Sequence, residues 1–353
     1  MKKIFAVLLA SLAVLTAGAQ ALPTKFEVKI KAKDHVQGMA IDTAARCFYL
    51  SFTTSLVKTD YEGNVLASID SIFGHLGAMT FDAASRKLYA SLECKDDVIG
   101  QGIAKHLGKE AVSQDLSKFY IMVFDVDGGQ ARPGAANPVI AGQWEVSEAI
   151  NDYKVRYGCS GIDGVTIAPQ IGKKKGKPRL YVAYGIYGDI SRRDNDHQIL
   201  LEYKLDAFKP GVTAPKASAK YFVFTGNTTW GVQNLAYDAS TGRIYMAVYK
   251  GKKPQYPNYP LFSLDVRQKP VKACPPGLDE KHETLKLSAA GLLDEATGVR
   301  GWDFKWGSTG LCPLGDGLWY ISENHKDKAT GIQSCTARLY RWTGDGAKPF
   351  TAR

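Results

Sequence analysis

The hydrophobic pattern of this chain repeats one two-strand phrase at five places. Apolar positions alternate with small or polar ones in "HVQGMAIDTAARCFYL", from His35, and again in "HLGAMTFDAASRKLYA", from His75. Further copies begin at Gly161, Gly231 and Arg300. Alternation with a period of two, interrupted by polar turns, predicts pairs of β-strands joined by hairpins. Each second strand carries a tyrosine near its start: Tyr49, Tyr89, Tyr181, Tyr245 and Tyr320.

The units between these phrases predict the fold. A third strand that usually ends in aspartate and a weaker fourth strand follow most phrases, and four-stranded units of this kind are typical of β-propeller blades. The first apolar residues of the inner strands are 40, 86, 70 and 67 residues apart; they are Met39, Met79, Val165, Leu235 and Trp302. This spacing favours an all-β propeller with five four-stranded blades. Six blades are the alternative if the stretch from Cys94 to Gly158 contains one more.

The ends of the chain predict how the propeller closes. The residues that follow Trp302 are too few for a complete blade, and residues 22–38 supply the missing length. We therefore expect "KFEVKIKA", near the N-terminus, to form the outer strand of the last blade. This closure would remove the free sheet edges that otherwise favour aggregation.

The N-terminal segment reads as a secretory signal peptide, residues 1–21. Lys2 and Lys3 precede an apolar run that is short for a membrane span, and Ala19-Gln20-Ala21 matches a cleavage site. Residues 22–353 are then one propeller domain, and the protein is expected to be exported to the periplasm or the extracellular space. No later apolar run is long enough for a membrane span.

Composition and charge add little to this picture. The chain has 45 basic and 35 acidic residues, a net charge of +10, and its basic residues are scattered. The densest cluster, "GKKKGKPR" at 172–179, is expected to be a solvated turn, because no aromatic residue or groove-binding element accompanies it. We predict no nucleic-acid partner and a monomer.

The six cysteines predict disulfides, because exported proteins meet an oxidising environment. The sequence contains no C-x-x-C spacing, so we expect no zinc site. The blade map places two pairs on common faces of neighbouring blades, and a disulfide requires Cα atoms within about 7 Å. The predicted bridges are Cys94–Cys159 and Cys274–Cys312. The cysteines expected to be unpaired are Cys47 and Cys335.

The candidate functional residues lie in loops that meet at one end of the propeller axis. Loops that lead into inner strands and loops that follow second strands share this face, whereas the opposite face carries ordinary Asp/Ser/Gly turns. Before the inner strands stand His35, Gln37, His75, Asp163, Trp230, Gln233, Asn234 and Arg300. After the second strands stand Glu93, Tyr187, Asp189, Lys250 and Glu323.

Four acids, three in these loops and Asp303 in an inner strand, predict a metal site near the axis. Asp303 interrupts an apolar inner strand, and Glu323 occupies a position that is apolar or aromatic in other blades; Asp163 and Glu93 approach from neighbouring loops. Buried carboxylates require partners, and Ca²⁺ binds through oxygen ligands. The alternative is that the acids pair with Arg300, Lys250 or backbone amides.

The chain resembles the exported propeller class that includes the gluconolactonase/senescence-marker and NHL-type proteins. A narrower resemblance is to the calcium-activated nucleotidases (apyrases), which are five-bladed. It is carried by "GIDGVTIAP" and by "GWDFKWGS…LWYISENHKDKATG…ARLYRW". The apyrase resemblance implies that Asp163, Ser322 and Glu323 are calcium-site residues.

Two functions follow as hypotheses. The first is a Ca²⁺-dependent hydrolase or lactonase acting on a small polar or anionic substrate. His35 or His75 would be the acid or base, since histidine titrates near neutral pH, and Arg300 and Lys250 would bind an anion. The alternative is a non-catalytic propeller that binds a glycan or protein through loop aromatics. These are Tyr187, Trp230, Tyr256 and Tyr259.

Overall fold

Five β-sheet blades surround a central axis in the computed structural model, which describes residues 22–29, 34–128, 137–152, 161–185, 189–226, 230–344 and 346–353. Each blade is an antiparallel meander whose first strand lines the axis. The predicted five-bladed all-β propeller is therefore confirmed. The predicted signal peptide, residues 1–21, lies outside the described residues.

Blades one and two are simple four-stranded meanders. The chain first forms β1 (Lys25–Lys29), which belongs to the last blade. Blade one then consists of β2 (Val36–Asp42), β3 (Cys47–Phe52), β4 (Ser55–Asp60) and β5 (Val65–Ile69). Blade two consists of β6 (His75–Asp82), β7 (Lys87–Cys94), β8 (Lys118–Asp125) and β9 (Val139–Glu145).

The stretch from Cys94 to Gly158, where a sixth blade was the alternative, belongs to blade two as far as it is described. Its described part contains the outer strands of that blade and short helical segments. These are α1 (Val98–His106), a 3-10 turn (Gln114–Leu116) and α2 (Ser147–Ile150). Asp97 caps α1, because its carboxylate accepts a hydrogen bond of 2.9 Å from the Gly100 backbone N–H.

Blades three and four carry additions at their outer edges. Blade three consists of β10 (Gly164–Pro169), β11 (Pro178–Gly185), β12 (His197–Lys204) and β13 (Ala219–Phe224), with a 3-10 turn (Leu205–Ala207). Blade four consists of β14 (Val232–Asp238), β15 (Arg243–Val248) and β16 (Leu261–Asp265). A hairpin of β17 (Val271–Ala273) and β18 (His282–Leu285) joins blade three, because β18 pairs with β13 in parallel.

Blade five differs from the sequence prediction in its inner strand. Its strands are β21 (Leu311–Gly315), β22 (Leu318–Lys326), β23 (Gln333–Trp342) and β1, with β24 (Phe350–Ala352) beside the end of β23. The predicted inner strand around Trp302 lies instead at the outer edge of blade four. There β20 (Arg300–Gly301) pairs with β19 (Leu292–Leu293), and Trp302 bridges to Leu261.

The turn between β21 and β22 explains this correction. Asp316 and Gly317 have φ values of 50° and 71°, and Gly315 pairs with Leu318 across them. Two consecutive residues with positive φ form the turn that joins antiparallel strands most tightly. This hairpin fixes Leu311–Gly315 as the partner of the tyrosine-bearing strand, so the earlier apolar run is displaced outward.

Closure by the N-terminal strand is confirmed. β1 pairs with β23 in antiparallel register from Lys25 opposite Arg338 to Lys29 opposite Ser334. Phe26 and Val28 are buried between blade five and blade one. The other interfaces between adjacent blades are packed in the same way, and the recurring tyrosines are all buried in them.

The five cysteines within the described residues are all free thiols. Cys274 is an exposed free thiol beyond β17, whereas Cys312 is a free thiol in β21, buried against blade one. The Cys274–Cys312 prediction is therefore wrong, because it placed Cys312 in the hairpin between the first and second strands of blade five rather than in the first strand itself. Cys94 is also a free thiol, and Cys159 lies outside the described residues. Cys47 and Cys335 are also free thiols.

Thiol labelling provides a test of this cysteine placement. We expect N-ethylmaleimide to modify Cys274 in the native protein, and Cys47, Cys312 and Cys335 only after unfolding. Burial raises the pKa of the Cys312 and Cys335 thiols to about 12, so these groups lack both access and thiolate character. Peptide mass mapping with and without guanidinium reads out each site. A bridged Cys274–Cys312 peptide under non-reducing conditions would contradict the blade assignment.

Candidate functional site

The beginnings of the inner strands meet at one end of the axis, which we name the axial face and define by His35, Gln37, His75, Asp163 and Asn234. Hydrogen bonds between blades hold this face together. The Asn234 amide donates to the backbone oxygens of Gln37, at 2.9 Å, and Ser308, at 2.8 Å. The Ala78 backbone N–H donates to the Asp163 backbone oxygen at 3.1 Å. A channel of about 220 Å³ continues along the axis between the inner strands.

Four ionisable side chains from blades two and three form a buried group, the axial cluster: His75, Glu93, Lys95 and Asp163. His75 Nδ1 lies 3.5 Å from Asp163 Oδ1 and 3.8 Å from Glu93 Oε2. Lys95 Nζ lies 2.6 Å from Glu93 Oε2. The Glu93 side chain is 0% exposed, and those of Lys95, His75 and Asp163 are 5%, 10% and 12% exposed. His75 and Asp163 are thus the most exposed members of the cluster.

Two glycines make room for the cluster. Gly77 lies in an irregular stretch of β6, and a Cβ atom there would lie 2.7 Å from Asp163 Oδ1. Gly161 has φ of 145°, and a Cβ atom there would overlap the Glu93 carboxylate. The freed space lets the Ile162 backbone N–H donate to Glu93 Oε1 at 2.5 Å. The close approach of blades two and three therefore depends on glycine at both positions.

The charges within the cluster shift its pKa values. Burial lowers the pKa of His75, but the negative charges of Asp163, 3.5 Å away, and then of Glu93 outweigh burial and raise it. Burial raises the pKa of Asp163, but His75 outweighs burial and lowers it. Burial and Asp163 together raise the pKa of Glu93, against the opposing charge of Lys95. The result is a His75–Asp163 pair that favours the charged form of both partners.

The pKa of His35, near this pair, is lowered rather than raised, so His35 favours its neutral form. Burial, followed by the charge of His75, lowers its pKa, and this outweighs the raising effect of Asp163 and Asp34. Its Nε2 atom lies 2.9 Å from Gln37 Nε2, so the imidazole accepts from the glutamine amide and carries its proton on Nδ1. The charged or titratable groups that act on His35 are Asp34, His75, Asp163 and Lys326.

A small cavity gives access to His35. It has a volume of about 210 Å³ between blades one and two, and helix α1 forms one wall. The carboxylate of Asp34, also in the lining, accepts from the Thr54 hydroxyl at 2.9 Å. The lining is His35, Asp34, Thr53, Thr54, Ile99, Gly102, Ile103 and His106.

Aromatic side chains lie on the other side of Asp163. Burial and the charge of Asp163 raise the pKa of Tyr249 to about 12. The Tyr249 ring meets Trp230 edge to face, with centroids 6.3 Å apart. Trp230 was a predicted ligand-binding residue, whereas Tyr249 and Lys95 were missed. Their signal in the sequence is position only, since each follows the end of a second strand.

The remaining predicted metal ligands and charged candidates lie away from the cluster. Glu323 is buried, accepts from Arg338 Nε at 2.8 Å and from the Tyr340 hydroxyl at 2.6 Å, and is thereby satisfied. Asp303 is exposed and pairs with Lys250 at 3.2 Å. Arg300 lies at the edge of blade four and donates to the backbone oxygen of Ala289.

Some of the predicted substrate-binding residues lie at the axial face, and others do not. Gln37, Gln233 and Asn234 lie at the axial face, where Gln233 donates to the Gly231 backbone oxygen at 3.3 Å. Asn234 bridges blades one and five, as described above, so its role is structural. Asp189 accepts from Ser191 at 2.8 Å and shapes a surface turn. Tyr187 lies outside the described residues.

The axial cluster contains only some of the ligands predicted for calcium. Of these ligands, only Asp163 and Glu93 are in the axial cluster. Ca²⁺ takes about six to eight oxygen ligands, whereas His75 offers nitrogen and Lys95 already places an ammonium group beside Glu93. The axial cluster by itself thus provides no complete oxygen cage for calcium, and calcium stays a prediction.

Comparisons with known proteins give little further guidance. No family model matches the chain, and no curated protein matches it. Two similar solved structures are crystal structures of the GH43_1 enzyme from Xanthomonas citri. The complex with xylotriose is 10% identical, with a TM-score of 0.44 and 93% of each chain covered. The structure without ligand is 11% identical, with a TM-score of 0.43, and the match covers 93% of this chain and 94% of that one.

Values this low support no inference about this chain's activity. The resemblances to gluconolactonase or NHL-type propellers and to apyrases gain no support from these comparisons. Among the described residues, no helix is long and apolar enough to cross a membrane.

Proposed function

We propose that this chain is a hydrolase that cleaves an ester or lactone bond in a small polar molecule at the axial face. The observation that carries the proposal is the His75–Asp163 pair, 3.5 Å apart, with the neutral imidazole of His35 close by. Two titratable groups whose environments push their pKa values apart are suited to opposite proton-transfer roles. His75 is then the general acid and His35 the general base.

Asp163 would orient the acid. Its Oδ1 faces His75 Nδ1, so Nε2 is the ring atom left to give a proton to the substrate. Lys95 and Glu93 would act one step further away, because Glu93 is fully buried and held by the ammonium group. Glu93 thereby adds negative potential that stabilises the His75 imidazolium.

The proposed reaction uses water and the two histidines. A water molecule takes the place of the Gln37 amide at His35 Nε2, and its oxygen bonds to the substrate carbonyl carbon as Nε2 takes its proton. The bond to the leaving oxygen then breaks as His75 donates a proton to that oxygen. The products are a carboxylic acid and a hydroxyl group, and solvent returns the proton from His35 to His75.

Glycoside hydrolysis fits less well. Most glycosidases place two carboxyl groups about 5–10 Å apart on either side of the scissile bond. Here ligand atoms of Glu93 and Asp163 lie within 4.8 Å of each other, and Glu93 is inaccessible. Acid and base roles for the histidines therefore favour an ester or lactone as substrate.

A non-catalytic glycan-binding propeller is the second candidate. The Trp230–Tyr249 pair favours it, because aromatic faces at a ligand site stack on apolar surfaces of their partners. Tyr256, the residue first considered for this role, is structural. Its hydroxyl donates to Asp196 at 2.9 Å, and its ring packs on Phe224. Trp230→Ala is thus the better probe, and loss of glycan binding without any measurable turnover would favour this candidate.

The direct test is a panel of lactones and 4-nitrophenyl esters, assayed with and without EDTA. We expect turnover that EDTA leaves unchanged and that His75→Gln removes, whereas His325→Gln, an exposed matched control, keeps it. Complete loss of activity in EDTA would mean that a metal ion carries the reaction and would overturn the acid–base proposal. No turnover across the panel would overturn it as well.

The pH profile offers a second prediction. The pKa of the base His35 is below its ordinary value of 6.5, and that of the acid His75 is above 6.5. Since His35 must be neutral and His75 charged, kcat/KM should rise with pH on a limb below 6.5 and fall on a limb above 6.5. His35→Gln should remove the acidic limb. A profile that shows no falling limb at alkaline pH would contradict these roles.

A further inference from the structure

A second cavity lies between blades three and four, away from the axial cluster. Its volume is about 480 Å³, within the range of sites that bind small organic molecules. We name it the interblade cavity. The lining residues that bear on ligand binding are His197, Phe222, Phe224, Leu285, Leu287 and Arg300.

One buried polar side chain in this lining has no partner. His197 begins β12 and is 1% exposed, and neither of its ring nitrogens makes a hydrogen bond within the described structure. Burial, followed by the charge of His282, lowers its pKa to about 4, so the imidazole is neutral at physiological pH. Buried polar groups in folded proteins are nearly always satisfied. A bound ligand with a hydroxyl group would satisfy His197.

The apolar part of the lining is aromatic next to this histidine. The His197 ring lies 6.1 Å from the Phe222 ring and 5.8 Å from the Phe224 ring, both at steep angles. Leu285, Leu287 and the prolines complete an apolar wall. Such a wall favours a flat, apolar ligand body over a sugar, whose hydroxyl groups would lose their hydrogen bonds to water here.

The charged groups of the lining have one sign. Arg300 and Lys286 are its cations, and it contains no carboxylate. Arg300 Nη1 donates to the backbone oxygens of Ala289, at 3.2 Å, and Gly291, at 3.5 Å, which holds the guanidinium group in place. A guanidinium group fixed in this way recognises a carboxylate through charge-assisted hydrogen bonds.

We propose that the interblade cavity binds a small aromatic carboxylate, with its hydroxyl group at His197 and its carboxylate at Arg300. This site shares no residues with the axial cluster, so the binding proposal can be tested independently of the proposed hydrolase activity. Arg300, predicted from the sequence to bind an anionic substrate at the axial face, would bind an anion at this separate site instead.

Calorimetric titration of the mature protein with 4-hydroxycinnamate tests this site. Two matched probes separate its parts: cinnamate lacks the hydroxyl group, and 4-hydroxycinnamamide lacks the charge. We expect 4-hydroxycinnamate to bind most tightly. Arg300→Gln should weaken it by roughly tenfold or more, because an anion loses its ionic partner. Arg267→Gln, an exposed arginine outside the cavity, is the control and should leave the Kd unchanged.

His197 and the apolar wall provide the other variants. His197→Phe should bring the Kd of 4-hydroxycinnamate to that of cinnamate while leaving cinnamate binding intact. Leu287→Trp should abolish binding of all three probes by filling the cavity, and its melting temperature shows whether it folds. Failure of the wild-type protein to bind 4-hydroxycinnamate would overturn the proposal. So would an unchanged Kd in folded Leu287→Trp, or equal effects of Arg300→Gln and Arg267→Gln.

Discussion

Deletion of residues 22–29 is expected to leave the propeller unable to fold to a stable monomer. These residues include β1, whose Phe26 and Val28 are 4% and 1% exposed at the seam between blades five and one. The Phe26 ring packs on Phe48, with centroids 4.4 Å apart. Their loss also exposes the paired edge of β23, and exposed strand edges promote aggregation.

The size of the expected stability loss follows from the burial of Phe26. Truncation of a buried phenylalanine alone costs about 3–5 kcal/mol, against a total stability of about 5–15 kcal/mol for a typical domain. The deletion also removes two backbone acceptors. Pro23 O accepts from the Tyr320 hydroxyl at 2.6 Å, and Thr24 O accepts from the Leu339 backbone N–H at 2.8 Å. We therefore expect aggregated or unfolded protein rather than a modest shift in melting temperature.

Substitutions within the same strand provide the matched control. Phe26→Ala with Val28→Ala should reproduce most of the stability loss, whereas Lys25→Ala with Glu27→Ala changes only exposed side chains of β1. Circular dichroism melting and size-exclusion chromatography measure both. A soluble monomeric deletion variant with an unchanged melting transition would contradict the closure of the propeller by β1.

The rotational repeat explains why most of the fold was predictable. Each blade must present the same apolar wedge to its neighbour, so phrases such as those ending at Leu50 and Ala90 recur at intervals. The inner strand of blade five was missed because two apolar segments compete for that place. Alternation alone cannot choose between them, whereas the positive-φ pair Asp316-Gly317 does.

The individual residues of the site could be predicted from the sequence, but their grouping could not. His75, Glu93 and Asp163 were each predicted separately because they are polar residues near the axis, and the structure brings them together. Glu323 was predicted to lie near Glu93 at a metal site, yet it is paired with Arg338 on the neighbouring strand. Thr336 lies directly opposite Glu323 in the β22–β23 pair, and Arg338 reaches Glu323 diagonally from two residues further along β23. Partners on a neighbouring strand depend on register, which a single sequence does not specify.

Replacement of His75 is expected to cause the largest loss of activity. His75→Gln removes the proposed general acid, and general acid–base groups contribute about 10²–10⁴-fold to rate. We expect a fall of that order in kcat/KM for the lactone or ester identified in the panel, together with loss of the alkaline limb of the pH profile. His325→Gln, which changes an exposed imidazole, should leave kcat/KM within about twofold.

Asp163→Asn separates orientation from structure. The amide keeps the size of the side chain but removes the charge that raises the pKa of His75, so the alkaline limb should move to lower pH while the acidic limb, set by His35, stays below 6.5. Loss of one member of a buried charge group costs about 3–5 kcal/mol, so assays must run well below the melting temperature of each variant. If folded His75→Gln keeps wild-type kcat/KM, or if Asp163→Asn leaves both limbs in place, the catalytic role of the axial cluster is wrong.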